Sequence, residues 1–239
     1  MIYIRSVLFT ASLFLSVLPY ATVIVISALI NREWIFHLAH SWARFNLRML
    51  RLICGLDYTV EGTEHVPEKN CVVYIKHQSA FETILQFLLV PGRQSLVLKR
   101  ELMWIPFLGW ALHQIRPIAI NRKAHGTAVR QVVRQGRDRL REGYWIIIFP
   151  EGTRMAPGKT RRYGMSGALL ASETGNLVLP VAHNGGDFWP RRGLKKHRGT
   201  IRVVIGPPIE TAGKRPAAIN EEAQAWIEST MGKISENYR

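Results

Sequence analysis

Cysteine is nearly absent from this chain, with only Cys54 and Cys71 among 239 residues. One pair can form one bridge at most, so neither a secreted disulfide framework nor a multi-thiol zinc site is indicated. Two reduced, packed thiols are expected instead. Acidic residues are scarce as well: 17 Asp and Glu stand against 32 Lys and Arg, a formal net charge of +15. That balance favours anionic partners, whether nucleic acid, lipid headgroups or phosphorylated molecules. The sequence has no internal repeat and no low-complexity tract, which removes solenoids and disordered arrays from consideration. It also has no Gly-x-Ser-x-Gly elbow and no cysteine placed beside a histidine, so a covalent enzyme intermediate is not suggested.

Charge is missing altogether from the 24 residues between Val7 and Ile30. A helix of about 20 apolar residues crosses a bilayer, so this run is long enough. It is too long for a signal-peptide core and no small-residue cleavage site follows, so it is expected to stay in the mature protein. Pro19 near its middle predicts a kink or a break into two short helices. A shallow hairpin therefore stands beside a single span, with a buried core helix as the third reading.

What is present reads as a packed domain, with 47% apolar and 21% charged residues. From Asn31 to Gly55, Trp34, Leu38, Trp42, Phe45, Met49 and Leu52 recur at spacings of three and four, among Arg32, Arg44, Arg48 and Arg51. This is an amphipathic helix, either at a lipid interface or against the core. His37 and His40 could share a metal, but no carboxylate pair accompanies them.

Beyond Leu56, short β-rich runs alternate with helical ones. Strands are predicted at Asp57–Glu61, Cys71–Ile75, Ser95–Leu98, Pro117–Ile120, Trp145–Phe149, Leu177–Val181 and Ile201–Ile205. Helices are predicted at Glu82–Leu89, Thr127–Arg141, Gly164–Glu173 and Ala217–Ile234. That alternation implies an α/β fold, a largely parallel central sheet flanked by helices. The expected organisation is a membrane-associating helical element over 1–55 and an α/β domain over 56–239. The segment Lys123–Arg141 is notably basic, either a solvated helix face or a surface for an acidic partner.

Two strand ends carry the chemistry. At Lys76-His77-Gln78-Ser79-Ala80-Phe81-Glu82 a strand gives way to a polar turn and a helix. On one continuous helix, residues five apart lie roughly 140° apart and cannot meet. Across a strand–turn–helix junction the Glu82 carboxylate can fold back onto the His77 imidazole, fix its tautomer and leave the other nitrogen to accept a proton. That is the equipment of a general base acting on an alcohol; the same two residues could otherwise serve as simple helix caps. The second strand end is Phe149-Pro150-Glu151-Gly152-Thr153-Arg154, where ligands gather in α/β sheets. Gly152 permits close backbone approach, and Thr153 with Arg154 could hold a phosphate. Further on, Lys99 and Arg122 bracket an apolar stretch that suits a charged head and a greasy tail.

These segments together resemble the four ordered blocks of the glycerophospholipid acyltransferases, over Lys76 to roughly Asn184. The first block is similar to His77–Glu82, the second to Lys99, Leu102, Gly109 and Arg122, the third to Glu151–Arg154 and the fourth to Pro180. The size and hydrophobic N-terminus are similar to those of the bacterial 1-acylglycerol-3-phosphate acyltransferases. Glu82 departs from the family's aspartate by one methylene, so the helix start or the ring must shift.

The resemblance implies acyl transfer from acyl-CoA or acyl-carrier protein to the sn-2 hydroxyl of lysophosphatidic acid, with no metal or redox cofactor and no nucleic acid. It gives His77 the role of base and Glu82 that of orienter. Lys99, Arg122 and Arg154 would hold the acceptor phosphate, while Glu151, Gly152 and Thr153 shape the pocket. Membrane lipid is the expected partner, and Arg32, Arg44 and Arg48 after the apolar run favour the cytoplasmic side of the inner membrane.

Overall fold

The computed structural model describes residues 1–121 and 125–238. Two long helices come first, α1 (Ile2–Ile30) and α2 (Trp34–Cys54). The sheet domain follows as β1 (Leu56–Glu61), β2 (Val72–Ile75), α3 (Phe81–Leu89), β3 (Gln94–Lys99), α4 (Leu108–Gln114) and β4 (Ile118–Ile120). It continues through α5 (His125–Arg141), β5 (Trp145–Ile148), α6 (Met165–Thr174), β6 (Val178–His183), α7 (Gly185–Phe188), β7 (Gly199–Ile205) and α8 (Pro216–Ile234).

The strand order is β1-β7-β6-β2-β5-β3-β4. Strands β6, β2, β5, β3 and β4 run parallel, so their carboxyl ends share one edge of the sheet. Strands β1 and β7 are parallel to each other, but β7 is antiparallel to β6. The sheet is therefore largely parallel, with a reversed pair at one side. Strands β2, β5 and β6 are buried along their whole length. Their unbroken apolar sequences are what a strand covered on both faces requires.

Alternation along β2 sorts its side chains into two cores. Val73 and Ile75 pack with Phe9, Ile24, Ile35, Leu50, Phe81 and Leu85, which places α1, α2 and α3 on one face. Val72 and Tyr74 pack with Val132, Leu140, Leu170, Ile219 and Ile227, which places α5, α6 and α8 on the other. Each such buried side chain contributes about 1.5–3 kcal/mol of transfer free energy. Cys54 and Cys71 are both buried and unbonded, and burial pushes the Cys71 thiol up to about 12.

One expectation is corrected. Pro19 does not break α1, which continues through it from Ile2 to Ile30. Side chains on either side of the proline tie α1 to α2. Trp42 Nε1 and Asn46 Nδ2 donate to Ser16 Oγ at 3.1 and 3.2 Å, and the Tyr20 and Ser41 hydroxyls meet at 3.2 Å. Tertiary bonds thus hold the turn that lost a backbone bond. The outer side of α1 is apolar and open, with Phe14 70% and Leu29 86% exposed, which suits membrane association.

Candidate active site

The site lies where the central strand β2 ends. The backbone leaves β2 at Lys76 and turns through residues 77–80, and α3 starts at Phe81. Glu82 falls in the first turn of α3, where the helix dipole favours negative charge. Its carboxylate bends back over the turn. Oε1 accepts the Gln78 and Ser79 N–H groups at 3.0 and 2.8 Å, and Oε2 accepts Ser79 N–H at 3.0 Å. The same Oε1 lies 2.8 Å from His77 Nδ1. The glutamate side chain thus reaches the ring and caps the turn at once.

A carboxylate only accepts, so Nδ1 carries the proton and the Nε2 lone pair is left over. Among the described residues Nε2 makes no hydrogen bond, and the ring keeps 9% of its side-chain surface accessible. Phe149, at the end of β5, stacks on the imidazole at 4.2 Å with 19° between planes. Burial opposes the charge on Glu82, but the hydrogen bonds from His77 and the Ser79 N–H outweigh it and hold the carboxyl below the usual carboxylate range. His183, at the end of β6, is fully buried 3.6 Å from Glu82 Oε2. Its Nε2–H donates to the Lys76 carbonyl at 2.7 Å and its Nδ1 accepts Gly185 N–H at 3.1 Å. Both nitrogens are used, and burial lowers its pKa, so this ring is neutral.

A second cluster backs the same turn. Glu151 points inward and not toward the opening, its side chain wholly buried. Oε2 accepts His77 N–H at 2.7 Å, and Oε1 pairs with Lys76 Nζ at 2.7 Å. Lys76 Nζ also meets Glu228 Oε1 of α8 at 2.6 Å and lies 5.4 Å above the Tyr238 ring. Burial works against the Lys76 charge, yet Glu151 and Glu228 outweigh it and raise its pKa. Met155 N–H donates to the His77 carbonyl at 2.7 Å, so the loop after β5 grips the His77 backbone from both sides.

The remaining candidate residues are scattered along the same sheet edge. Gly152 and Thr153 are exposed at the tip of the β5 loop, where Gly152 takes the left-handed conformation at φ +68° that favours glycine. Arg154 is half-buried, its carbonyl bonded by Arg191. Lys99, at the end of β3, is 51% exposed and pairs with Glu101 at 3.4 Å. Arg122 lies outside the described residues. Gly109 has a steric reason: a Cβ there would stand 2.2 Å from the Met103 carbonyl oxygen.

Sequence reading missed Lys76, Glu228 and Tyr238 as parts of this assembly, and it took in His183 only as part of the strand-end segment around Pro180, with no role of its own. Only Lys76 carried a signal, a lone cation at the end of an otherwise apolar central strand. Among the described residues no group of three or more His, Cys, Asp or Glu is arranged to hold a metal ion.

A family model described as Acyltransferase matches residues 57–184. A 1-acyl-sn-glycerol-3-phosphate acyltransferase of Pseudomonas aeruginosa is 45% identical over 199 residues, covering 82% of this chain and 77% of that protein. A bovine 1-acyl-sn-glycerol-3-phosphate acyltransferase alpha is 28% identical over 180 residues, covering 72% of this chain but only 63% of its own length. The fold is similar to that of the 1-acyl-sn-glycerophosphate (LPA) acyltransferase PlsC from Thermotoga maritima. The TM-score is 0.80 over 99% of this chain and 98% of that one, at 20% identity.

Proposed function

Because this chain belongs to the Acyltransferase family, we propose that it moves a fatty acyl group from a thioester donor to the sn-2 hydroxyl of lysophosphatidic acid, giving phosphatidic acid. The donor is acyl-CoA or acyl-carrier protein. The observation that carries this reading is the His77–Glu82 pair, with Nδ1 committed to the carboxylate and Nε2 left available.

In this reaction Nε2 takes the proton as the acceptor oxygen forms its bond to the thioester carbonyl carbon. The carbonyl becomes an oxyanion, stabilised by backbone N–H groups at the strand ends. It collapses with loss of the carbon–sulfur bond, and the imidazolium returns its proton to the leaving thiolate. Glu82 keeps the ring's orientation throughout and offsets the imidazolium charge. Lys99, Arg122 and Arg154 supply cations for the acceptor phosphate, with Gly152 and Thr153 at the rim; Glu151 acts from behind, through the His77 backbone. The transfer as drawn uses side chains and two substrates, without a metal or redox cofactor.

The apolar α1 sets the enzyme against the lipid–water boundary where acceptor and product reside. Arg32, Arg44 and Arg48 favour the cytoplasmic face of the inner membrane.

The test is acyl transfer by detergent-solubilised protein, offering labelled acyl-CoA and acyl-carrier protein with a panel of lysolipids beside a His77→Ala variant. Phosphatidic acid is expected from the unmutated protein, with about 10³-fold less from the variant at unchanged membrane association. Substantial activity in His77→Ala, or preference for a different lysolipid, would overturn the base or the acceptor respectively.

A further inference from the structure

From His125 onward the basic segment singled out by sequence folds as α5. Arg130, Arg134, Arg137 and Arg141 follow the spacing i, i+4, i+7, i+11, which gathers them within about 60° of helix surface along about 16 Å. Arg137 pairs with Glu173 of α6, while Arg130, Arg134 and Arg141 are exposed and join no ion pair among the described residues. Val132, with Val133 and Leu140 on the adjoining flank of the helix, is buried against the sheet. The arginines form an outward row with its own geometry.

Where that row points decides what it can bind. The large exposed apolar side chains lie mostly on α1 and α2, among them Phe14, Leu15, Leu29 and Trp34. A second group, Leu102, Trp104, Ile105 and Trp110, lies in the β3–β4 connection, whose helix α4 contacts α1. Among the described residues no such side chain belongs to α5. Helices α1 and α2 cover one face of the sheet, and α5 covers the other. A membrane met by the outer side of α1 therefore lies on the other side of the sheet from the arginine row. The row faces water. It also begins at the functional edge, because α5 follows β4, whose carboxyl end shares the edge with the His77 turn. A row of this length offers several separate cations to one acidic surface.

We propose that the arginine row of α5 docks an acidic acyl-carrier protein presenting its thioester to the site, which rests on the acyl-transfer reading above. The carrier approaches from the aqueous side while the lysolipid enters from the membrane side, so the two substrates do not compete for approach. Charge complementarity over an exposed row acts mainly on encounter and is screened by salt.

The test compares both donors with the full chain reconstituted in zwitterionic vesicles, carrying Arg130→Glu and Arg134→Glu. KM for acyl-carrier protein is expected to rise about tenfold, and the gap to the unmutated protein to close at high salt. KM and kcat with acyl-CoA, and KM for lysophosphatidic acid, should change less than about twofold. Their retention is also the control for folding. Equal loss with both donors, no loss with the carrier, or weakened binding to anionic vesicles in its place overturns the docking assignment. If the charge reversals lose both activities, Arg130→Gln with Arg134→Gln is measured the same way, and equal loss again overturns it. An unmutated protein that uses acyl-CoA but not the carrier refutes the docking surface and leaves the acyl-transfer reading standing. One that uses neither removes both.

Discussion

Two buried carboxylates, Glu82 and Glu151, grip the same turn, and their surroundings make them opposites. Glu82 is held by backbone N–H groups and one imidazole, and the partner it holds keeps a nitrogen in reserve. Glu151 meets a lysine whose charge is also claimed by Glu228, so the charges in that cluster are spent on one another, even though Glu228 Oε2 is buried without a hydrogen-bond partner among the described residues. The first arrangement prepares a side chain to act on something else. The second fixes a backbone in place. Burial alone does not distinguish them; what distinguishes them is that the His77 ring keeps an unbonded nitrogen and some of its surface accessible, whereas the Lys76 ammonium is enclosed.

Removing the charge of Glu82 should separate the two most. Glu82→Gln is expected to lower acyl transfer about 100-fold or more through kcat, with little change in KM for either substrate, since the ring loses its tautomer and the offset to its positive charge. Steady-state kinetics check this, and an unchanged kcat would make Glu82 a cap and nothing more.

Next in size is the closed cluster. Lys76→Met leaves Glu151 and Glu228 facing each other inside the protein and should cost about 3–5 kcal/mol of stability, read as a lower midpoint in denaturant. Adding Glu151→Gln and Glu228→Gln should recover much of that loss, because a spent ionic cluster is replaceable by groups of similar shape. No such rescue is expected for Glu82→Gln from any neutral substitution of His183.

Glu228→Gln alone, with Lys76 and Glu151 still paired, should cost about 1–3 kcal/mol and reduce kcat no more than several-fold. The smallest effect concerns pH. The Glu82 carboxyl is held below its ordinary value of 4.5, so its ionised form is favoured by folding. The stability advantage over Glu82→Gln should be full above pH 4.5 and fade as pH falls through the lowered folded value. An advantage that grows on acidification would contradict the hydrogen bonds described here.

The sheet was legible from sequence because its strands are unbroken runs of β-branched and aromatic residues such as Val72–Ile75 and Trp145–Ile148, and a chain covered on both faces has little else to show. The reversal of β7 against β6 was not, since antiparallel pairing leaves no mark on a short apolar strand. Helix α4 was hidden in a stretch of aromatics broken by Pro106 and Gly109, whose periodicity is too short to read. At the site, the spacing of His77 and Glu82 at a strand–helix junction was enough to anticipate their contact. Glu151 was read as part of the pocket wall, because its loop position was visible and its inward rotamer was not. Glu228 is 152 residues from Lys76, a separation that no local pattern encodes.

The apolar helix α1 is fastened near its start as well as along its length. Lys196, in the segment between β6 and β7, donates from its backbone to Ser6 Oγ at 2.9 Å. Its ammonium lies 2.5 Å from Thr10 Oγ1 and 4.8 Å from the Trp189 ring, beside the buried Phe9. The greasy leader is thus also a plug. A chain shortened to begin after Ile30, the usual route to a water-soluble form, would open the hole that Phe9 fills and strip a buried cation of its Ser6 and Thr10 acceptors, leaving only the Leu194 carbonyl among the described residues. Solubilisation by trimming would trade one insoluble surface for another, whereas replacing outward residues such as Phe14 and Leu29 with polar ones leaves the plug seated.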